Sequence, residues 1–148
     1  MAKIVTIGFA QKSLQHFLEL LRSEKVTCLI DTRLNNTSQL SGFAKKKDLK
    51  FILEEFMNIK YIHRVDMAPT KDILKDFKNN KITWNEYTKK YLALLEEREI
   101  KNNIDDLFTT SDTVCFLCSE HNHTHCHRSL LSEYIKENFA NVEIIHLQ

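Results

Sequence analysis

Thr113-Val114-Cys115-Phe116-Leu117-Cys118 runs into Ser119-Glu120-His121-Asn122-His123-Thr124-His125, then Cys126-His127-Arg128-Ser129-Leu130-Leu131. The first part is a short apolar run and reads as a strand. The second is polar and reads as a loop. The third begins a stretch to Phe139 whose Leu130, Leu131, Tyr134 and Ile135 recur at helical spacing. Strand, loop and helix in succession form the repeating step of an α/β domain, and the loop between rigid elements is where reactive side chains collect. Cys118 to His127 alone hold two of the four cysteines and four of the seven histidines.

The same alternation continues outward from this stretch. Lys3 to Phe9 reads as a buried strand closing at Gly8. Ser13 is placed to cap a helix whose Leu14, Phe17, Leu18 and Leu21 repeat every three or four residues. Val26-Thr27-Cys28-Leu29-Ile30 is a second strand that ends abruptly in Asp31-Thr32-Arg33. Strand, helix and strand within about thirty residues predict a right-handed crossover between parallel strands. Leu34 to Gly42 is polar and loop-like. Lys46 to Phe56 predicts a helix burying Leu49, Ile52, Leu53 and Phe56. Ile59 to Val65 alternates as a third strand, with the single proline, Pro69, ending it. Thr70 to Asn79 predicts a short helix. Thr83-Trp84-Asn85-Glu86 matches a capping box, and the helix it opens turns Trp84, Tyr87, Tyr91, Leu94 and Leu95 to the core. That stripe reads as packing, although the Tyr87 and Tyr91 hydroxyls can still reach a cleft. Val142 to Leu147 is the last strand. The expected fold is one three-layer α/β domain over residues 1–148, with a mostly parallel sheet of about five strands flanked by helices.

Composition narrows the class of function. A hydrophobic content of 43% and a charged content of 28% are those of a globular protein, and a chain of 148 residues can bury a full core. The net charge of +1 makes no global case for nucleic acid. Lys45-Lys46-Lys47 is a compact basic triplet, readable as a local basic face or as the solvated first turn of a helix. No apolar stretch approaches the ~20 residues that span a bilayer, and the N-terminus reads as a strand rather than a leader. The expectation is a cytoplasmic protein with reduced thiols and no membrane partner.

If the strands are parallel, Gly8, Asp31 with Arg33, and Cys118 with Glu120 open on one edge, where ligands bind in open α/β sheets. A carboxylate closing the run Cys28-Leu29-Ile30 needs a partner, Arg33 or Arg128; alternatively Asp31 caps the following turn. Cys126-His127-Arg128 opens a helix, a position whose free N–H groups and dipole suit an anion, and Arg128 adds a forked donor for phosphate or carboxylate. The same field favours a thiolate at Cys126, making it a candidate nucleophile with His127 or Glu120 in proton transfer. The competing reading is a packed cysteine beside an arginine that ties loops together. Cys118, Cys126 and His127, with His121, His123 and His125 between them, also suit zinc or another divalent metal. The spacing is not that of a Cys-x-x-Cys site, and a fortuitous histidine-rich loop is the alternative.

Leu117-Cys118-Ser119-Glu120 followed by Cys126-His127-Arg128-Ser129-Leu130-Leu131 resembles the C-terminal signature of the domain-of-unknown-function 488 family. The likeness continues at Thr6-Ile7-Gly8, at Asp31-Thr32-Arg33, and at Ser38 with Phe43 and Lys45 or Lys46. It extends to Tyr61 with Met67-Ala68-Pro69, and to Trp84 with Tyr87 and Tyr91. The resemblance implies a compact α/β domain, with suggestions of nucleotide or nucleic-acid handling. It carries over Asp31, Arg33, Ser38, Lys45 or Lys46, Tyr61, Cys118, Glu120, Cys126, His127 and Arg128 as site residues. Three features depart from the family pattern. Asn36 replaces a frequent proline, Met67-Ala68-Pro69 replaces a common Leu-Gly-Gly, and His121, His123 and His125 lie outside the signature.

These readings converge on an enzyme that binds a phosphate-bearing substrate, a nucleotide or nucleic acid, in a crevice between Asp31/Arg33 and the Cys118–Arg128 loop. Asp31, Glu120, Cys126 and His127 are its candidate catalytic residues, and Arg33, Ser38, Lys45, Lys46, Tyr61 and Arg128 its candidate binding residues. Two alternatives stand beside it. One is a thiol- or metal-dependent sensor or hydrolase built on Cys118, Cys126 and His127. The other is a non-catalytic binding module.

Overall fold

The computed structural model describes residues 2–37, 39–104, 106–107, 113–139 and 141–148, with the backbone but not the side chains of 39–41. Five strands form one sheet: β1 (Ala2–Gly8), β2 (Cys28–Asp31), β3 (Lys60–His63), β4 (Thr113–Cys118) and β5 (Val142–His146). Their order is β3-β2-β4-β1-β5, and every pairing is parallel. The helices are α1 (Leu14–Ser23), α2 (Lys46–Phe56), α3 (Lys71–Lys78), α4 (Trp84–Glu97) and α5 (His127–Asn138).

Helices cover both faces, so the central strands are buried on both sides and read as continuous apolar runs. Phe17 and Leu21 of α1 and Leu49 and Leu53 of α2 pack on Val5, Ile7, Leu29, Cys115 and Leu117. On the opposite face Tyr87, Tyr91 and Leu95 of α4 and Leu131, Tyr134 and Ile135 of α5 pack on Ile4, Cys28, Ile30, Val114 and Phe116. This is the three-layer α/β arrangement expected. The helix starts also follow their local chemistry. Ser13 Oγ accepts the His16 N–H and Thr70 Oγ1 that of Ile73. Thr83 and Glu86 form the reciprocal capping box.

Two local expectations are corrected. Phe56 is 72% exposed instead of buried: α2 ends there, and the ring meets Phe51 edge-on at 5.5 Å. The third strand stops at His63, well before Pro69, because Val65–Met67 closes a tight turn in which Met67 N–H donates to Arg64 O and Ala68 N–H to Val65 O. The same turn is clamped by a forked ion pair between Arg64 and Asp66.

Candidate active site

The connection leaving β2 goes to α2 on one face, and the one leaving β4 goes to α5 on the other. Their carboxyl ends diverge, which is the geometry that opens a crevice in a parallel sheet. A cavity of about 680 Å³ lies there, with Arg33, Cys118, Glu120, Cys126 and His127 in its wall, backed by Pro69, Phe77 and Tyr87. Two polar clusters flank this crevice, one on each face of the sheet.

Asp31 anchors the α2-side cluster. Its carboxylate is fully buried and accepts from Arg33 Nε and Nη2 at 2.8 and 2.7 Å, from the Arg33 backbone N–H, and from Asn36 Nδ2 and the Tyr61 hydroxyl. Burial alone would raise the Asp31 carboxyl; the Arg33 hydrogen bonds and charge, with Tyr61 and Asn36, outweigh it and hold it below its ordinary value. The Tyr61 hydroxyl is pushed up, by burial first and then by its bond to the carboxylate. Arg33 Nη2 also donates to Ala44 O, which fixes the loop entering α2. Of the two arginines proposed as partners of Asp31, Arg33 is the one that pairs with it.

The α5-side cluster holds the thiols. Cys118 ends β4 and its Sγ donates to Glu120 O at 3.7 Å, while Cys126 stands at the N-cap position of α5 with its Sγ 3.9 Å from His127 Nδ1. Burial alone would raise the Cys118 thiol; the neighbouring Cys126 thiol, the Arg128 cation and the Glu120 backbone outweigh it and bring it below its ordinary value. Cys126 moves the other way, raised by burial and by the neighbouring Cys118. The helix N-terminus was expected to favour a thiolate at Cys126. The Arg128 backbone does lower it, but two adjacent buried sulfurs cannot both ionise, and Cys118 holds the better position.

His127 Nε2 lies 3.0 Å from both the carbonyl and the hydroxyl oxygen of Thr32, whose hydroxyl donates to Leu117 O. That network assigns the ring proton to Nε2 and leaves the Nδ1 lone pair facing Cys126 Sγ at 3.9 Å. Burial drives the His127 pKa down to about 4, with the Thr32 backbone opposing the shift. The imidazole is therefore neutral near pH 7 and able to accept a proton.

Arg128 lies behind the thiols and is 0% exposed. Nη2 donates to His121 O at 3.0 Å, while Nε and Nη1 have no hydrogen-bond partner. No ion pair joins it to a carboxylate among the described residues. Gly8 makes room for this packing. A Cβ at that position would lie 1.6 Å from Glu120 O and 3.0 Å from Arg128 Nη1.

The remaining sequence-derived candidates are distributed differently. Glu120 is exposed on the cavity wall. Lys45 and Lys46 start α2 and do not line the cavity; Lys45 pairs with Asp48 at 3.5 Å. Tyr61 and Asp31 serve the α2-side cluster, and Ser38 lies outside the described residues. The histidines of the loop scatter. His123 stacks on His146 at 3.9 Å, His125 leans on Trp84 at 4.9 Å, and His121 Nδ1 faces Lys12 Nζ at 3.4 Å. Among the described residues no three His, Cys, Asp or Glu side chains converge as a metal site. Thr32, Asn36, Phe77 and Lys78 were not singled out as site residues. Thr32 stands between two charged residues, and nothing local to it marks its bond to His127. Phe77 and Lys78 fall on a helix whose partner surface the sequence does not reveal.

A family model described as Domain of unknown function DUF488 matches residues 13–135. The chain belongs to the DUF488 family. The DUF488 match runs from the α1 cap into α5, and so contains Asp31, Arg33, both cavity cysteines, His127 and Arg128. The family description assigns no activity. No curated protein and no solved structure matches the chain. Among the described residues no helix is long and apolar enough to cross a membrane.

Proposed function

We propose that this DUF488 protein is a thiol-dependent enzyme whose substrate enters the cavity between β2 and β4. The buried Arg128 carries the argument. A guanidinium cannot lose its proton, and burying one without a counter-charge costs several kcal/mol. Its field acts on Cys115, Cys118 and Cys126, and of these only Cys118 ends below its ordinary pKa. On this reading Arg128 favours the thiolate form of Cys118, the one of the three thiols that is lowered. Neutral His127 presents Nδ1 to Cys126 Sγ at 3.9 Å, and Thr32 keeps its ring in the Nε2–H tautomer.

A phosphate-bearing substrate, a nucleotide or nucleic acid, is the second reading of the same cavity. It is favoured by Arg33 and Lys78 in the wall and by the amides of Asn35 and Asn80 beside them. Lys78→Ala would then weaken nucleotide binding, and equal binding by wild type and variant would reject that substrate class.

Alkylation with iodoacetamide across pH, followed by peptide mapping, tests the thiol reading. Labelling confined to Cys118 and Cys126, with a midpoint below the ~8.5 of a free thiol, supports it. Labelling that needs unfolding, or a midpoint at or above ~8.5, sinks it.

A further inference from the structure

We infer that α3 carries a track for single-stranded nucleic acid, running beside the cavity so that one nucleotide of the strand enters it. The inference rests on the phosphate reading of the cavity given above and extends it from a nucleotide to a polymer. Lys71, Lys75 and Lys78 stand at spacings of four and three residues, which puts them on one flank of the helix. All three are exposed, and none pairs with a carboxylate among the described residues. The rest of the helix is sorted around them. Ile73 and Phe77 pack into the core, and Leu74 and Lys78 line the cavity. Going round from there, Lys71 and Lys75 come next, and Asp72 and Asp76 lie beyond them on the flank away from the cavity.

Helix stability does not account for the stripe. Lysines in the last turn complement the helix dipole, as Lys75 and Lys78 do, but Lys71 opens the first turn, where the dipole opposes a cation. A mononucleotide does not account for it either. At ~1.5 Å per residue Lys71 lies about 10 Å along the axis from Lys78, and neither Lys71 nor Lys75 lines the cavity. A ligand that meets all three cations carries negative charges in succession outside the cavity as well as one at its wall. A phosphodiester backbone is such a ligand.

The cavity decides between nucleic acid and other polyanions. Lys78 joins the stripe to it, and Asn35 and Asn80 also line it. Each side-chain amide offers donors and an acceptor, the pattern that reads the edge of an unpaired base. The carboxylates of an acidic peptide only accept, and would leave the amide oxygens unmatched. A volume of about 680 Å³ takes one nucleotide out of its stack but not a base-paired duplex. The partner is therefore an unpaired strand, held by its phosphates on α3 and by one nucleotide in the cavity.

Fluorescence anisotropy of a short labelled oligothymidylate, from about 50 to 200 mM salt, tests the track. Wild type is expected to bind it more tightly than thymidine monophosphate or its duplex with oligoadenylate, with affinity falling as salt rises. Lys71→Ala with Lys75→Ala should make the slope of log affinity against log salt shallower by about 1.4, at ~0.7 per lost contact. Lys47→Ala with Lys60→Ala removes the same charge from exposed positions on α2 and β3 and should leave binding unchanged. Equal slopes in wild type and the Lys71/Lys75 variant, or a duplex bound as tightly as the single strand, overturn the inference. Displacement by polyglutamate at equal charge concentration also overturns it, and assigns the stripe to an acidic protein. A monophosphate bound as tightly as the oligonucleotide, and weakened by Lys78→Ala alone, overturns the track and leaves the phosphate reading standing. Binding of neither ligand overturns both.

Discussion

Acidification is expected to unfold this protein through His127 in particular. The imidazole is buried neutral with a pKa of about 4, against ~6.5 in the unfolded chain. For a histidine with a depressed folded pKa, the unfolded state binds the proton first, so stability falls as pH drops from ~6.5 towards ~4 and levels off below that. At ~1.4 kcal/mol per pH unit the gap corresponds to about 3 kcal/mol, a large share of a typical domain's 5–15 kcal/mol. His123 and the half-buried His146, the latter also near 4, add slopes of the same sign that solvent screens more strongly. Asp31 does not contaminate this window. Its folded pKa is lowered, so its contribution is present above the ordinary carboxylate value and is lost only in stronger acid. Replacing His127 by Gln keeps a nitrogen at the Nε2 position to donate to Thr32 and removes the titration. Urea unfolding of wild type and His127→Gln at about pH 7 and about pH 4 measures the difference between the two slopes. A wild-type loss exceeding that of the variant by about 3 kcal/mol is expected. Parallel pH dependence in the two proteins would refute the buried, neutral assignment.

Three further substitutions probe the frame of the site. Asp31→Asn leaves Arg33 buried without its counter-charge and should cost about 3–5 kcal/mol in denaturant unfolding, whereas a loss under about 1 kcal/mol would mean that Arg33 finds another partner. Gly8→Ala forces a Cβ into the Glu120 carbonyl, so circular dichroism melting should report failure to fold or a much lower Tm; a Tm within a few degrees of wild type would contradict the close approach. Thr83→Ala removes one half of the α4 capping box and should cost about 1 kcal/mol, with no change in thiol reactivity.

Much of the fold was legible because its signals are local. Period and capping placed α2 at Lys46–Phe56 and α4 behind Thr83, and the strand–helix alternation implied the parallel sheet. The strand order was not legible. β4 inserts between β2 and β1, a long-range pairing that leaves no local mark. The ends of β2 and β4 were recognised as one site, but side-chain facing was missed. Asp31 turns to the α2 layer and Cys118 to the α5 layer, so they flank the crevice instead of meeting in it. The histidines drew attention by number, yet only His127 has its ring against the thiols. Helix-dipole reasoning chose Cys126 for the thiolate; burial and the competing sulfur, both tertiary effects, reversed the choice.

The central claim is that one thiolate stands at the cavity wall because Arg128 is buried behind it. The near-ultraviolet thiolate absorbance of native wild type, titrated against Cys118→Ser and Arg128→Met, measures that charge directly. An excess of about one thiolate in wild type near pH 7, absent from Cys118→Ser and shifted to higher pH in Arg128→Met, is the predicted result. Superimposable curves for the three proteins below pH ~8.5 would contradict it.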